Sequence, residues 1–241
     1  MCDLSGDIRA ISAFAWLAFL AVACPARAQE IAVSPVNVKM GPGQGAAVLT
    51  VVNQGKRETS FQIRAFGWQQ NKSGDDDLAP TGELLASPPL ATIAPGATQI
   101  VRLVLRHLPQ AREATYRILF DQLTPPAEAG RVYVGLRLSI PVFAEPVGRV
   151  TPDVQWRIVN QDGKPWLVAT NNGTRHETFR GMALRTADGT SFKIVIKSPP
   201  HILAGGMRRW LIETKGLPPA GATLRLTASG DTGEIDQQVG R

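Results

Sequence analysis

Residues 131–146 read RVYVGLRLSIPVFAEP and carry the clearest structural signal in the chain. Within this segment every second residue is a bulky aliphatic one, and the six are Val132, Val134, Leu136, Leu138, Ile140 and Val142. Because the side chains of a strand point alternately to its two faces, the pattern predicts one long strand with a continuous apolar ridge. The opposite face carries Arg137 and Pro141, so it is not expected to face a second core.

The ridge strand is predicted to lie at the edge of its sheet. Pro141 has no backbone N–H to donate to a neighbouring strand, and prolines within sheets are confined mostly to edges. A long apolar edge strand promotes aggregation unless it is protected. Either a second sheet covers the ridge, or the edge is left available for a partner. An uncovered edge would also let two copies of the free protein associate.

The rest of the chain predicts an all-β protein of two immunoglobulin-like sandwiches. The 241 residues include 23 glycines and 18 prolines, which separate short apolar runs, as in chains built from many strands. About seven strands are expected in a first domain at residues 29–146, and a second set follows in a smaller sandwich at 147–230. Residues 71–78, NKSGDDDL, are expected to form a solvated loop, and residues 231–241 a loose polar tail.

The N-terminus reads as an export signal that covers residues 1–28. An apolar run at residues 11–23 precedes the Ala-Arg-Ala pattern of residues 26–28. The run is too short to span a bilayer, which needs about 20 residues, so no stable membrane insertion is expected. A lipoprotein site at Cys24 is the alternative, and the ordinary signal is favoured because Ala-Arg-Ala is the better cleavage site.

Charge and cysteine content narrow the class of protein further. Removal of residues 1–28 deletes two basic and two acidic residues, so the formal net charge stays at 24 − 18 = +6. The basic residues are scattered singly among the strands, which argues against nucleic acid as a partner. Both cysteines, Cys2 and Cys24, lie within the signal, so no disulfide is expected in the mature protein.

No motif in the sequence predicts catalysis, a metal or a cofactor. His107, His176 and His201 stand alone, without cysteines or carboxylates at the spacing of a metal site. Nucleophile elbows, zinc-protease motifs and phosphate-binding glycine loops do not occur. We therefore expect a protein that is not an enzyme.

Several short motifs occur together in an order typical of one family. Those most specific to it are Val33-Ser34-Pro35-Val36, Val51-Val52-Asn53-Gln54-Gly55, Trp68, Ser87-Pro88-Pro89, Ile93-Ala94-Pro95-Gly96, Gln99-Ile100-Val101-Arg102, Tyr116-Arg117 and Ile140-Pro141-Val142-Phe143. In these the chain resembles the periplasmic pilus-assembly chaperones of the chaperone–usher class. Tyr116-Arg117 and Pro141-Val142-Phe143 are similar to the corresponding motifs of the branch that serves spore-coat-U-like pili.

The resemblance implies a function for the ridge. Such chaperones are boomerangs of two immunoglobulin-like domains in the periplasm. The last strand of their first domain pairs with a pilus subunit that lacks its own final strand, which is a form of strand addition, and the subunit is then delivered to an outer-membrane usher. By this resemblance the six ridge residues would fill the groove in the core of the subunit.

The resemblance also implies a cationic anchor for the C-terminal carboxylate of the subunit. Typical members use an arginine on the first strand and a lysine on the last. Here those positions match Asn37 and Pro141, so other basic residues must serve. The candidates are Arg117, Arg102, Arg137 and Lys39. Arg117 is the first choice because it stands beside Tyr116 and near the linker side of the ridge. For Arg102, an ion pair within its own domain is an equal alternative.

Two other functions are considered. An exported structural or adhesin-type protein could also consist of two sandwiches, but pilus subunits carry an N-terminal donor segment and a cysteine pair, and neither occurs here. A carbohydrate-binding module would use exposed tryptophans, and Trp68, Trp156, Trp166 and Trp210 are the candidates. Their spacing does not form a platform, so we expect them in the cores.

Overall fold

The computed structural model describes residues 31–124, 130, 134–196, 201–213, 221 and 223–240. These residues form nineteen strands in four sheets, which confirms the all-β fold. None of the described residues lies in a helix that is long and apolar enough to cross a membrane. The predicted export signal and its two cysteines lie outside the described residues.

Ten strands form the first sandwich. They are β1 Ile31–Ser34, β2 Val38–Met40, β3 Ala46–Asn53, β4 Thr59–Gln70, β5 Asp76–Pro80, β6 Leu84–Ser87, β7 Leu90–Ile93, β8 Thr98–Leu105, β9 Ala114–Leu123 and β10 Arg137–Ala144. One sheet has the order β1-β3-β8-β6, and the other has the order β2-β10-β9-β4-β5, with β7 also paired to β4. The two sheets enclose one apolar core, to which the alternating residues of β3, β4, β8 and β9 contribute.

The acidic segment after β4 differs from its prediction as a solvated loop. Asp76, Asp77 and Leu78 begin β5, which pairs with the last residues of β4. Every residue of β5 is exposed, so its sequence lacks the apolar alternation by which a strand is recognised. The backbone pairing with β4 places Asp76 opposite Gln70, the last residue of β4.

Nine strands form the second sandwich. They are β11 Val154–Gln161, β12 Lys164–Asn171, β13 Glu177–Arg185, β14 Ser191–Phe192, β15 Ile194–Val195, β16 His201–Ile202, β17 Met207–Ile212, β18 Thr223–Gly230 and β19 Glu234–Gly240. One sheet has the order β11-β12-β17-β15, and the other has the order β14-β13-β18-β19, with β16 paired to β13. Trp156 packs against Phe179 and Trp210 in this core.

The prediction of a loose C-terminal tail is wrong. Residues 234–240 form β19, which pairs with β18 from end to end. Val239 is 1% exposed and belongs to the second core, and Ile235 packs against the same core. Two apolar residues in a polar sequence are a weak signal, because the rest of an edge strand is solvated.

The two sandwiches meet at a small apolar cluster. Trp68 of β4 and Phe143 of β10 come from the first sandwich, and Leu203 comes from the second. All three are buried. Residues 145–153, which connect β10 to β11, contain no strand. The cluster therefore holds the end of β10 directly against the second sandwich.

Candidate binding site

The strand β10 has one open edge over most of its length. It pairs with β9 from Arg137 to Ala144, while its parallel pairing with β2 covers only Val142 to Ala144. Among the described residues, the segment 137–141 therefore has a strand neighbour on one side only. Its open edge leaves backbone groups available for another strand. Pro141 lies at the junction between the open and the paired parts of this edge.

The predicted ridge of residues 132–142 is divided in two. The regular strand starts at Arg137, so Val134 and Leu136 precede it, and Val132 lies outside the described residues. Val134 is 88% exposed and Leu136 38% exposed. Ile140 and Val142, in contrast, are buried in the core of their own sandwich, and Leu138 packs against that core.

This division corrects the expectation of one uniform ridge. The second half of the ridge faces residues of the β1-β3-β8-β6 sheet, which cover it. Before Arg137 two hydrogen bonds continue the contact with β9. The Gln122 backbone N–H donates to the carbonyl of Leu136 at 2.9 Å, and the Leu136 N–H donates to the side-chain Oε1 of Gln122 at 3.1 Å. Leu136 is thus held beside β9 while its side chain stays accessible.

Three of the four anchor candidates lie apart from the junction of the sandwiches or on its rim. Arg102 is exposed on β8, in the other sheet, and points outward because its neighbours Val101 and Leu103 are in the core. Arg137 pairs with Asp121, which also binds Arg64 at 2.6 Å. Lys39 is exposed on β2, opposite Phe143.

Arg117 is the candidate that lies in the cleft between the sandwiches. It stands on β9 directly opposite Pro141, the position at which the resemblance implies a lysine. The guanidinium carbon is 3.7 Å from the ring centre of Trp68, a cation–π contact. Only 13% of the side chain is exposed. Burial lowers the pKa of Arg117, but a guanidinium stays protonated in proteins.

A second arginine reaches the same place from the second sandwich. Arg208 of β17 binds Oδ1 of Asp76 at 2.6 Å, and Oδ2 of Asp76 is 4.0 Å from Arg117. The three side chains carry one net positive charge. His201 stacks edge-on against Trp68, and burial together with the charges of His176, Arg117 and Arg208 lowers its pKa to about 4. It is therefore neutral at neutral pH and leaves the site cationic.

A buried histidine–carboxylate pair lies beside this cluster and joins the two sandwiches. Nδ1 of His176 is 2.7 Å from Oε2 of Glu113, and the His176 backbone N–H donates to the same oxygen at 2.8 Å. Both residues are almost fully buried. The His176 ring stacks on Phe143 with a centroid distance of 3.6 Å. The end of β10 is thereby fixed against the second sandwich.

The sequence interpretation missed Asp76, Arg208, Glu113 and His176. The sequence predicts a solvated loop at Asp76 and an isolated histidine at His176, and it carries no signal at Glu113 or Arg208. Their partners are remote along the chain, and Asp76 and Arg208 are 132 positions apart. Such pairs leave no spacing pattern in a single sequence. Among the described residues, no group of three or more His, Cys, Asp or Glu side chains could hold a metal ion.

Comparisons with known proteins identify related sequences. Residues 30–149 match the family model for the N-terminal domain of PapD, described as a pili and flagellar-assembly chaperone. The chaperone protein FaeE of Escherichia coli is 23% identical, in an alignment that covers 89% of this chain and 90% of FaeE. The chaperone protein PapD of the same species is 28% identical over 99 residues, which are 39% of this chain and 41% of PapD.

Solved structures share the fold at low sequence identity. The CsuC–CsuE complex of a chaperone with a tip subunit, from the archaic chaperone–usher Csu pili of Acinetobacter baumannii, matches with a TM-score of 0.67 and 22% identity over 88% of this chain and 99% of that one. The Salmonella enterica complex of the SafA pilin with the SafB chaperone matches with a TM-score of 0.57 and 15% identity, and covers 87% of this chain and 94% of the other.

Proposed function

Because the chain belongs to the pilus-assembly chaperones of the chaperone–usher class, we propose that it binds pilus subunits in the periplasm by donor-strand complementation through β10 and delivers them to an outer-membrane usher. Membership of the family confirms the resemblance found in the motifs, and the branch that serves spore-coat-U-like pili stays a prediction. It also confirms that the protein is not an enzyme, since its relatives are assembly chaperones.

The observation that carries the proposal is the open edge of β10 at residues 137–141, preceded by exposed apolar side chains. A subunit strand added along this edge would bond to backbone groups that β2 leaves free. The strand β9 already supports the other side of β10. The edge is therefore rigid before any partner arrives, which lowers the entropic cost of binding.

We propose that the two halves of the ridge have different tasks. Val132, Val134 and Leu136 would enter the groove of the subunit, and Leu138, Ile140 and Val142 hold the strand in the chaperone. Full burial of an aliphatic side chain stabilises by about 1.5–3 kcal/mol. Val134 and Leu136 are both accessible, so each can contribute an appreciable part of this value.

The cleft would receive the C-terminal carboxylate of the subunit, and Arg117 is the proposed anchor. It lies opposite Pro141 on the neighbouring strand, on the outer face of its sheet and beside the open edge. Its guanidinium is largely desolvated, and a charge-assisted hydrogen bond is stronger in such surroundings. Arg102 is separated from this cleft by the thickness of the sandwich, and we no longer propose it as an anchor.

The proposal is tested by changing the accessible half of the ridge. Leu136→Asp is expected to abolish co-purification with a co-expressed pilus subunit, because the carboxylate cannot enter an apolar groove. Leu85→Asp is the matched control, since Leu85 is a similarly exposed leucine on β6, in the other sheet. Retention of the subunit by Leu136→Asp, at an unchanged melting temperature, would contradict strand addition through β10.

A further inference from the structure

The two arginines of the cleft converge on a carboxylate that the protein itself supplies. Arg117 belongs to the first sandwich and Arg208 to the second, and each faces a different oxygen of Asp76. The arginine side chains are only 13% and 7% exposed, while that of Asp76 is 31% exposed. The anion is thus the most accessible member of the group. It sits at the mouth of the site, with the cations behind it.

Asp76 lies at different distances from the two arginines. The contact with Arg208 at 2.6 Å is a charge-assisted hydrogen bond. The contact with Arg117 at 4.0 Å is beyond hydrogen-bond distance, so Asp76 neutralises that guanidinium only through space. Among the described residues, the Arg117 guanidinium makes a cation–π contact with Trp68 but no side-chain hydrogen bond, and a close charged acceptor would stabilise it further. Arg117 would therefore gain from a second carboxylate oxygen at closer range.

The position of Asp76 on β5 allows its side chain to move away from the two arginines. This strand lies at the end of its sheet and pairs only with β4 among the described strands, and all of its residues are exposed. Trp68, in contrast, is 1% exposed and supports the Arg117 guanidinium from below. The cationic part of the site is rigid, and its anionic part belongs to the surface.

We propose that Asp76 is an internal substitute for the C-terminal carboxylate of the subunit. In the free protein Asp76 occupies the Arg117–Arg208 site, and it competes there with the incoming carboxylate. The inference rests on the proposed function and adds a residue that opposes binding. Competition weakens the anchored state, because two carboxylates at one site repel each other. It would help a chaperone to release its cargo.

The opposite role for Asp76 makes a different prediction. If Asp76 only orients the arginines, its replacement should weaken carboxylate binding. If it competes, replacement should strengthen binding. Asp76→Asn is the informative variant, because the amide oxygen can still accept a hydrogen bond from Arg208 while the negative charge is lost.

The experiment uses two fluorescent peptides that differ only at the C-terminus. Both consist of alternating valine and threonine after two lysines, and one ends in a free carboxylate while the other ends in an amide. Fluorescence anisotropy measures their affinity for the full-length protein. The ratio of the two affinities reports the anchor alone, and the amide peptide reports the strand edge.

The expected result is a gain of function. The wild-type protein should prefer the free carboxylate, and Asp76→Asn should raise this preference about threefold to tenfold, as expected for the loss of one like charge at a partly exposed site. Arg117→Met should reduce the preference to none. Asp236→Asn, which removes the carboxylate partner of Arg225 in the second sandwich, is the control and should leave the preference unchanged.

Each other outcome overturns the inference in a recognisable way. An unchanged or smaller preference in Asp76→Asn leaves the anchor in place but excludes competition by Asp76. Equal binding of both peptides to the wild-type protein excludes the anchor, while strand addition survives. If neither peptide binds, strand addition is contradicted and the inference falls with it. Unchanged affinity of the variants for the amide peptide shows that they are folded.

Discussion

The two ends of the ridge strand have the same sequence pattern and opposite environments. Val134 is 88% exposed, whereas Val142, eight residues later, is fully buried. The first end projects before the regular strand begins, and the second is enclosed by the opposite sheet, β2 and the second sandwich. An alternating apolar sequence is thus a requirement for either a donor surface or a core. The neighbours of the strand decide which one it becomes.

The largest effect is expected at the buried end. Val142→Asp should lower the free energy of unfolding by at least about 5 kcal/mol, because it places a charge in the first core. Val134→Asp should change it little, since the side chain is already in water. Urea denaturation of both variants measures the contrast. A mild loss in Val142→Asp would show that the two ends differ less than the structure indicates.

A somewhat smaller effect is expected from the pair that fixes the buried end. Glu113→Ala leaves His176 without its partner and should cost about 3–4 kcal/mol, as in other broken buried pairs. Glu83→Ala is the control, because Glu83 contacts His107 at a similar distance of 2.9 Å but on the surface. It should change the stability little. Equal losses in the two variants would contradict a special role for the junction.

Burial of His201 where the two sandwiches meet is also expected to make the stability of the protein depend on pH. The pKa of His201 falls from 6.5 to about 4 on folding, so the native state favours the neutral ring. The contribution of the neutral His201 ring to the free energy of unfolding is complete above pH 6.5, and it is lost as the pH falls from 6.5 towards 4. Between pH 7.5 and pH 4.5 we expect a loss of about 2–3 kcal/mol from this residue.

The variant His201→Gln separates this contribution from those of other groups. It should show a smaller fall of the unfolding free energy over the same range, because carboxylates elsewhere titrate equally in both proteins. The groups that face His201 include His176, Arg117, Arg208 and Asp231, and the variant retains all of them. The same pH dependence in both proteins would show that His201 is not responsible.

Much of the fold could be predicted because its signals are local. Alternating residues and Gly- or Pro-containing turns mark most of the longer strands, such as β4, β8 and β12. Strands with few apolar residues were missed. β5 and β19 are held by backbone pairing at the ends of their sheets, which requires little of their side chains. Their sequences therefore do not distinguish them from loops.

The binding site was predictable only in part. The ridge residues form one pattern within one segment, and Arg117 was chosen from its place beside the ridge. Asp76, Glu113, His176 and Arg208 belong to four different segments, and each pairs with a residue of the other sandwich. Without that pairing each is an ordinary polar residue. The role of these four residues depends on the way in which the two sandwiches pack against each other.

The all-β class, the alternation of residues 132–142 and the family can be read from the amino-acid sequence alone. These properties depend on side chains that are neighbours along the chain, where the period of two is fixed by strand geometry. The point at which the ridge becomes core, and the pair of cations that share a carboxylate, follow from the packing of the sheets. Burial and ion pairing depend on contacts between distant segments, and those contacts exist only after the sheets have packed and the sandwiches have met.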